Sequence, residues 1–583
     1  MYLTGGQIIF NKLVKNNVKD VFMYSGGAIM GLIDCFYEQK KINYYINTHE
    51  QNLGHAATGY ARSTGIPGIC IVTSGPGITN MITPMLDAQN DSTPLIVFSG
   101  NVQLSSMGTN AFQEAPAVDL TKHITKWSYC VKNVNEINNV LDEAFIISQE
   151  GKKGVVHIDL PKCILSTKID YFNVNKTEYN KQINKIDIEK IEKIEKIEKI
   201  EKIEKICDVI NNSEKPVLYV GQGCNDYSKE LTEFVDNSNI PITTTIHAMG
   251  CYDETKDLSL KFLGMHGSVF ANKSIQEADC IIALGSRFDD RTTGNLDLYA
   301  PMAKKNKGII HCNINEKEID NIVQSNYSVN GDCGEFIKNI KNKIVYKKRE
   351  NWLNQINMWK KDYPFVHNKN ENMYTQDVLI ELNKQLKNKD NYIFTTGVGN
   401  HQMMAAQFID WTQPKSFISS GSLGVMGFGL PAAIGVAIGN PDKTVIDIDG
   451  DGSFLMTLSD MKTAVQYDLK NLKIMILNNK TLGMVDTWEK LFYNNRITAT
   501  DNKFAPSFYN VAKSFGFNVL QCNNNDNLSE TIKLFIESPG PLLCEFNVDS
   551  TECFPLVAPG KALDDMILYS ADTVNIDKTL PPS

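Results

Sequence analysis

The sequence predicts an α/β protein made of three doubly wound domains with mostly parallel sheets. Three observations carry that prediction. Short apolar strands alternate with helical patterns, the arrangement that lays helices over both faces of a parallel sheet. The alternation restarts twice, and 583 residues suit three to five domains of about 100–200 residues each. Near residue 450, an Asp- and Gly-rich turn joins a strand to a helix, as at the ligand-binding edge of such sheets.

Taken in order, residues 1–170 form the first unit, with a helix over 8–14 and strands at 69–73, 95–99 and 155–159. Residues 171–206 carry Ile-Glu-Lys triplets. Glu followed four residues later by Lys supports a helix. Three residues, however, turn a helix by about 300°, so the Ile stripe slips by about 60° per repeat and cannot keep facing one core. The run reads as a low-complexity, partly helical linker, and without heptads it is no coiled-coil site. The second unit spans 207–346, with strands at 217–220, 280–284 and 308–314. The third spans 370–550, with strands at 393–395, 444–448, 473–478 and 542–546 and a helix over 454–467. A tail at 551–583 holds several Pro and Gly residues and could fold over a site.

Composition excludes several classes. A net charge of -9 without a basic stripe argues against a nucleic-acid binder. Apolar runs are strand-sized and fall well short of the roughly 20 residues of a membrane span. Thirteen cysteines, an odd number with no CxxC pair, predict a reducing compartment and no zinc site. The amphipathic start at 6–14, with no targeting leader, predicts a protein that works where it is made: the cytoplasm, or the plastid stroma if organelle-encoded.

The strongest chemical signal is Asp447-Ile-Asp-Gly-Asp-Gly-Ser-Phe454, followed by Leu477-Asn-Asn479. Two neighbouring strands would end together, bringing the Asp451 carboxylate and the Asn479 amide oxygen to one edge. Hard oxygen donors of this kind suit Mg²⁺ shared with a phosphate. Gly450 and Gly452 let the backbone approach a diphosphate closely. The second signal is His49-Glu-Gln-Asn-Leu-Gly-His55, leading into a small-residue helical stretch.

A Gly-Asp-Gly turn with paired Asn about 25 residues later resembles the signature of thiamine-diphosphate enzymes. In that family a backbone carbonyl two residues past the second Asn completes the metal site, here Thr481. The segment at His49 resembles the family motif whose Glu activates the cofactor. The resemblance therefore assigns Glu50 to a ring nitrogen of the cofactor, with burial tuning it for proton sharing. Further stretches are similar to the acetohydroxyacid (acetolactate) synthase catalytic subunits from the N-terminus to about residue 566. They include Thr73-Ser-Gly-Pro-Gly-Ile-Thr-Asn80, Gly108-Thr-Asn-Ala-Phe-Gln-Glu114, Arg287-Phe-Asp-Asp-Arg291, Gly397-Val-Gly-Asn-His-Gln-Met403 and Gly483-Met-Val-Asp-Thr-Trp488.

That resemblance implies a pyrimidine-binding, a central FAD-binding and a diphosphate-binding domain. It implies thiamine diphosphate, Mg²⁺ and FAD as cofactors, the FAD serving a structural role. Val398, Gly399, Asn400 and His401 would hold the diphosphate with Gly452 and Ser453. Gly424 and Met426 would line the cofactor, and Gly483 and Met484 belong to the same site. Gln113 and Lys162, with Phe112, would border the substrate from a neighbouring subunit. Arg291 would attract the carboxylate of the second 2-oxo acid, and Trp488 would shape its pocket. Gly221, Gly223, Thr245, Ile246, His247, Met265, His266, Gly285, Arg287, Asp289, Asp332, Gln402 and Met403 correspond to FAD contacts.

Two positions depart from the family at that flavin site. Asn313 stands where a carboxylate is usual, and Lys152 stands for an Arg, a point charge instead of a fork. The implied reaction decarboxylates pyruvate and joins the remainder to a second pyruvate or to 2-oxobutanoate. Another carboligase or decarboxylase of the superfamily is the alternative. The implied assembly is a homodimer or homotetramer, with a small regulatory subunit as a further partner.

Overall fold

The computed structural model describes residues 2–171, 201–367 and 370–569. Its core is three six-stranded sheets, each parallel throughout. In the first sheet the order is Asn43–Ile46, Asp20–Met23, Gly68–Val72, Leu95–Asn101, Val155–Pro161 and Trp127–Cys130. In the third it is Phe417–Ser419, Tyr392–Thr396, Thr444–Gly450, Leu472–Asn478, Leu542–Asn547 and Asn518–Cys522. Ranked by chain position, both sheets have the same order, 2-1-3-4-6-5. The middle sheet runs Ser259–Phe262, Ile242–Thr244, Pro216–Val220, Cys280–Leu284, Gly308–Asn313 and Tyr327–Asn330, the 3-2-1-4-5-6 order of dinucleotide-binding folds.

The central strands are apolar on both faces because helices cover both. Ile69 and Ile71 face one core of the first sheet, while Cys70 and Val72 face the other. Strand Thr444–Gly450 is the exception that positions the site. Its Ile446 and Ile448 enter one core. Asp447 and Asp449, fully buried, share the opposite face with Val445.

The first and third units pack through glycines. Helix Glu50–Thr64 lies against helix Gly429–Gly439. A Cβ on Gly59 would sit 2.2 Å from the Ala432 carbonyl oxygen, and one on Gly435 would sit 1.8 Å from that of Ala56. Only hydrogen fits between the two backbones. Asp460 adds a polar tie, accepting from Asn47 Nδ2 at 2.7 Å and from the Thr48 N–H at 3.0 Å.

Two sequence expectations need correction. The helix expected over 454–467 is broken into Asp451–Leu455, a 3₁₀ turn Leu458–Asp460 and Met461–Gln466. The break lets the Thr457 hydroxyl reach the Gly427 carbonyl at 2.9 Å, and it turns Asp460 toward Thr48. Most of the expected linker, 172–200, lies outside the described residues. Its last residues open a helix over 201–211 whose Ile203, Ile206, Cys207 and Ile210 enter the middle core. There the triplet run gives way to i, i+3, i+4, i+7 spacing, which does hold one face.

The tail folds back over the middle unit. Strand Leu556–Val557 pairs antiparallel with Met566–Ile567. The Val557 N–H donates to the Met265 carbonyl at 2.8 Å, and Leu563 is buried in the same core as Phe288.

Candidate active site

In the third sheet, strands Tyr392–Thr396 and Thr444–Gly450 lie side by side while their connections leave in opposite directions. Such a switch point leaves a crevice at the carboxyl ends of the strands. A cleft opens there. It brings together Val398, Gly399, Asn400, His401, Met426, Asp451, Gly452, Ser453, Asn479, Thr481, Gly483 and Met484. Gly424 stands at its rim, where a Cβ would lie 4.0 Å from Val398 Cγ1.

The walls are built for an anion. Helices Asn400–Phe408 and Asp451–Leu455 both begin at the cleft, so their unpaired N–H groups face it. His401 Nε2 is buried there, 3.4 Å from Asp449 Oδ1 and without a hydrogen bond. Glycine lets the chain come close: a Cβ at Gly397 would stand 1.8 Å from Asp449 Oδ1 and 2.2 Å from Ser453 Oγ. Met426 and Leu482 close the cleft around Gly452, whose Cβ position is 2.3 Å from Leu482 Cδ2.

The donor set also fits a hard cation. Asp451 is 1% exposed, and burial pushes its carboxyl up to about 6, against the opposing pull of a hydrogen bond from Asn502. Asn502 Nδ2 donates to Asp451 Oδ2 at 2.6 Å. Asn479 Oδ1 accepts the Thr481 N–H at 3.2 Å, and both residues line the cleft. No Lys or Arg among the described residues pairs with this deep carboxylate, so with the neutral oxygens of Asn479 and Thr481 lining the same cleft it could hold a metal ion. Beneath it, burial and then the neighbouring Asp449 push the Asp447 carboxyl far above the usual range.

Other expected residues lie elsewhere. Glu50, 8% exposed, accepts from Asn80 Nδ2 at 2.9 Å and does not line the cleft. Phe112 is 89% exposed, and Gln113 and Lys162 are exposed as well. Exposed Arg291 donates to Met265 Sδ at 3.1 Å and stands 3.8 Å from Asp290. Trp488 sits one helical turn past Met484, half-buried, with its ring 5.1 Å from Phe492.

The middle sheet carries a second cradle. Gly221 and Gly223 press on Gly285, whose φ is +62°; a Cβ on Gly221 would stand 2.3 Å from the Gly285 oxygen. Thr244 Oγ1 at the end of strand Ile242–Thr244, His266 Nδ1 past Ser259–Phe262 and Ser286 Oγ past Cys280–Leu284 are buried without a hydrogen-bond partner among the described residues. Thr245, Ile246 and His247 follow strand Ile242–Thr244, and Met265 and His266 follow Ser259–Phe262. Arg287 and Asp289 follow Cys280–Leu284. Asp332 caps helix Cys333–Ile340, and Gln402 and Met403 belong to helix Asn400–Phe408. Asn313 donates to the Ser286 carbonyl at 2.8 Å, and Lys152 pairs with Glu318 at 2.9 Å, so both are engaged within the protein.

Residues that sequence reasoning left unassigned complete the cleft: Thr375, Met404, Leu477, Leu482, Val485 and Thr551. Asn502 is another. No spacing announces it, because a loop 23 residues beyond Asn479 brings it back.

Three family models match the chain in order. The N-terminal TPP-binding domain of thiamine pyrophosphate enzymes matches residues 3–122, the central domain 203–340 and the C-terminal TPP-binding domain 397–546. The chain is 41% identical to the mitochondrial acetolactate synthase catalytic subunit of Saccharomyces cerevisiae, covering 98% of this chain and 84% of that one. It is 38% identical to the acetolactate synthase large subunit of Cyanidium caldarium, covering 97% and 96%. It is 36% identical to the chloroplastic acetolactate synthase 2 of Nicotiana tabacum, covering 97% and 85%. No helix among the described residues is long and apolar enough to cross a membrane.

Proposed function

Because this chain belongs to the acetolactate synthase family of thiamine pyrophosphate enzymes, we propose that it decarboxylates pyruvate and joins the two-carbon remainder to a second 2-oxo acid. With pyruvate as acceptor the product is 2-acetolactate; with 2-oxobutanoate it is 2-aceto-2-hydroxybutanoate. These are the first common steps toward valine, leucine and isoleucine. The observation that carries the reading is the cleft in which Asp451, Asn479 and Thr481 meet two helix N-termini.

Thiamine diphosphate, when bound, supplies the carbon nucleophile and electron sink that decarboxylation of a 2-oxo acid requires. The protein's residues hold and orient it. Asp451, Asn479 and the Thr481 carbonyl would bind Mg²⁺. Gly399, Asn400, His401, Gly452 and Ser453 would receive the diphosphate. Met426 would press on the cofactor from the cleft wall. Glu50 would hold a proton at a ring nitrogen, in a buried setting that already gives its carboxylate one neutral donor, Asn80.

Glu50 lies outside the cleft of its own chain, and Phe112, Gln113 and Lys162 face outward. A second copy would therefore bring these residues to the cleft, making a homodimer, or a tetramer of such pairs, the working unit. Arg291 and Trp488 would receive the acceptor acid. The domain reading is 1–170 for the pyrimidine, 207–346 for FAD and 370–550 for the diphosphate, joined by 171–206 and followed by the tail 551–583. The partnerless polar atoms around Gly221, Gly223 and Gly285 support FAD in the middle unit. The names "catalytic subunit" and "large subunit" among the relatives support a small regulatory partner. Mitochondrial and chloroplastic relatives support an organelle as well as the cytoplasm as the place of work.

The test is acetolactate formation from pyruvate by purified protein, with each cofactor omitted in turn. Loss without thiamine diphosphate or Mg²⁺, and reduction without FAD, is expected. A protein that binds the cofactors and releases only acetaldehyde, with no carboligation product, contradicts the reading.

A further inference from the structure

All three units meet at one buried carboxylate. Asp91 ends helix Ile82–Asn90 and is 1% exposed. Its Oδ2 accepts the Gly421 N–H at 3.0 Å, and its Oδ1 accepts the Ser422 N–H at 3.1 Å. Arg62 Nη1 stands 3.6 Å from it and His247 Nε2 stands 3.2 Å from it. Arg62 also donates to His247 Nδ1 at 2.6 Å. A guanidinium can only donate, so Nδ1 is the acceptor and the ring proton sits on Nε2, facing Asp91. Burial alone would raise the Asp91 carboxyl; His247, Arg62 and Ser422 reverse that and hold it below the usual range.

The loop 420–428, which joins strand Phe417–Ser419 to helix Gly429–Gly439, is held at both ends. Arg287 grips Asn90 and Ser422 together, donating to the Asn90 carbonyl at 2.7 Å and to Ser422 Oγ at 2.6 Å. Ser420 donates to Asp87 Oδ1 at 2.5 Å and accepts the Val425 N–H at 2.9 Å. Gln402 reaches Ser419 Oγ and the Ser420 carbonyl. At the far end, the Gly427 N–H donates to Ser453 Oγ at 2.9 Å. Between these anchors lies Met426, which lines the cleft with Ser453. A Cβ on Gly421 would stand 2.1 Å from His247 Nε2, so His247 and the loop cannot move independently.

We propose that Asp91 is a positioning residue that couples the dinucleotide site of the middle unit to the diphosphate cleft of the third. This rests on the flavin reading above, in which His247, Arg287 and Gln402 face FAD. A ligand that fixes those side chains fixes the Asp91-bound loop, and with it Met426. Coupling of this kind is reciprocal: each cofactor tightens the other by the same factor.

The test is a pair of titrations on the full-length protein stripped of cofactors. Thiamine diphosphate binding with Mg²⁺ is read by tryptophan fluorescence with and without FAD. FAD binding is read by flavin fluorescence with and without thiamine diphosphate. The wild-type factor is expected to be about 5-fold or more and equal in both directions. Asp91→Asn loses the charge and keeps only one of the two acceptors that hold Gly421 and Ser422; it should bind each cofactor alone and show a factor near 1. Ser422→Ala, which removes the hydroxyl that accepts from Arg287 and bears on Asp91 but keeps the backbone N–H that Asp91 accepts, should lower the factor and serves if Asp91→Asn does not fold. A factor of 1 in the wild type, or an unchanged factor in the variants, overturns the coupling while leaving FAD binding intact. Wild-type protein that binds no FAD overturns the flavin reading and the coupling with it.

Discussion

In the proposed reading, Asp451 would set the cation requirement. Its carboxylate is buried, gripped on one oxygen by Asn502 and lifted to about 6 by desolvation, and Asn479 provides a neutral oxygen opposite. Asp451→Asn replaces the one formal charge in this donor set. It should weaken apparent Mg²⁺ affinity and turnover by at least about 100-fold while leaving the fold intact; a Mg²⁺ titration of activity alongside circular dichroism checks this. That Asp451, Asn479 and Thr481 share one edge was legible in the sequence because strand ends put fixed spacings there. Asn502 was not, since its place depends on a loop returning through the Thr481–Asp501 bridge. That Glu50 and Asp451 would come from different copies was implied by the family resemblance alone, because spacing along a chain does not reveal which copy supplies a side chain.

Central strands were legible as short apolar runs because helices cover both faces and every position is buried. Edge strands such as Asn43–Ile46 and Asn518–Cys522 alternate or stay half-exposed, so no run marks them. The break at Thr457 was invisible for another reason: it answers a tertiary demand from Gly427 and Thr48. Contact between elements also creates a pH response. Glu254 accepts the Trp411 N–H, leaves its other oxygen unpartnered, and is pushed by burial up to about 8, with Lys261 opposing. Its folded pKa exceeds its unfolded value, so the folded state keeps a proton that the unfolded chain releases. That stability is fully present below about 4.5 and is lost as pH rises through about 8. Melting temperature should therefore fall between about pH 5 and pH 9, and Glu254→Gln should flatten the fall. An identical slope in the variant would place the response elsewhere.

At the scale of the molecule, three doubly wound units were legible from alternation alone. The order of strands was not, because parallel crossovers carry no register signal in sequence. The shared 2-1-3-4-6-5 order of the outer sheets has a consequence. Two equivalent edges exist, one carrying Glu50 and one carrying Asp451, and within one chain they do not meet in the cleft. Shared sites between two copies are therefore the central claim. Coexpression of differently tagged Glu50→Gln and Asp451→Asn chains, followed by purification of all assemblies, tests it most directly. Each variant alone should be nearly inactive. Random pairing of shared sites should restore about one quarter of wild-type activity, because half the dimers carry one intact site. Demonstrated mixed dimers with no activity above that of the single variants would contradict the account and return Glu50 to the cleft of its own chain.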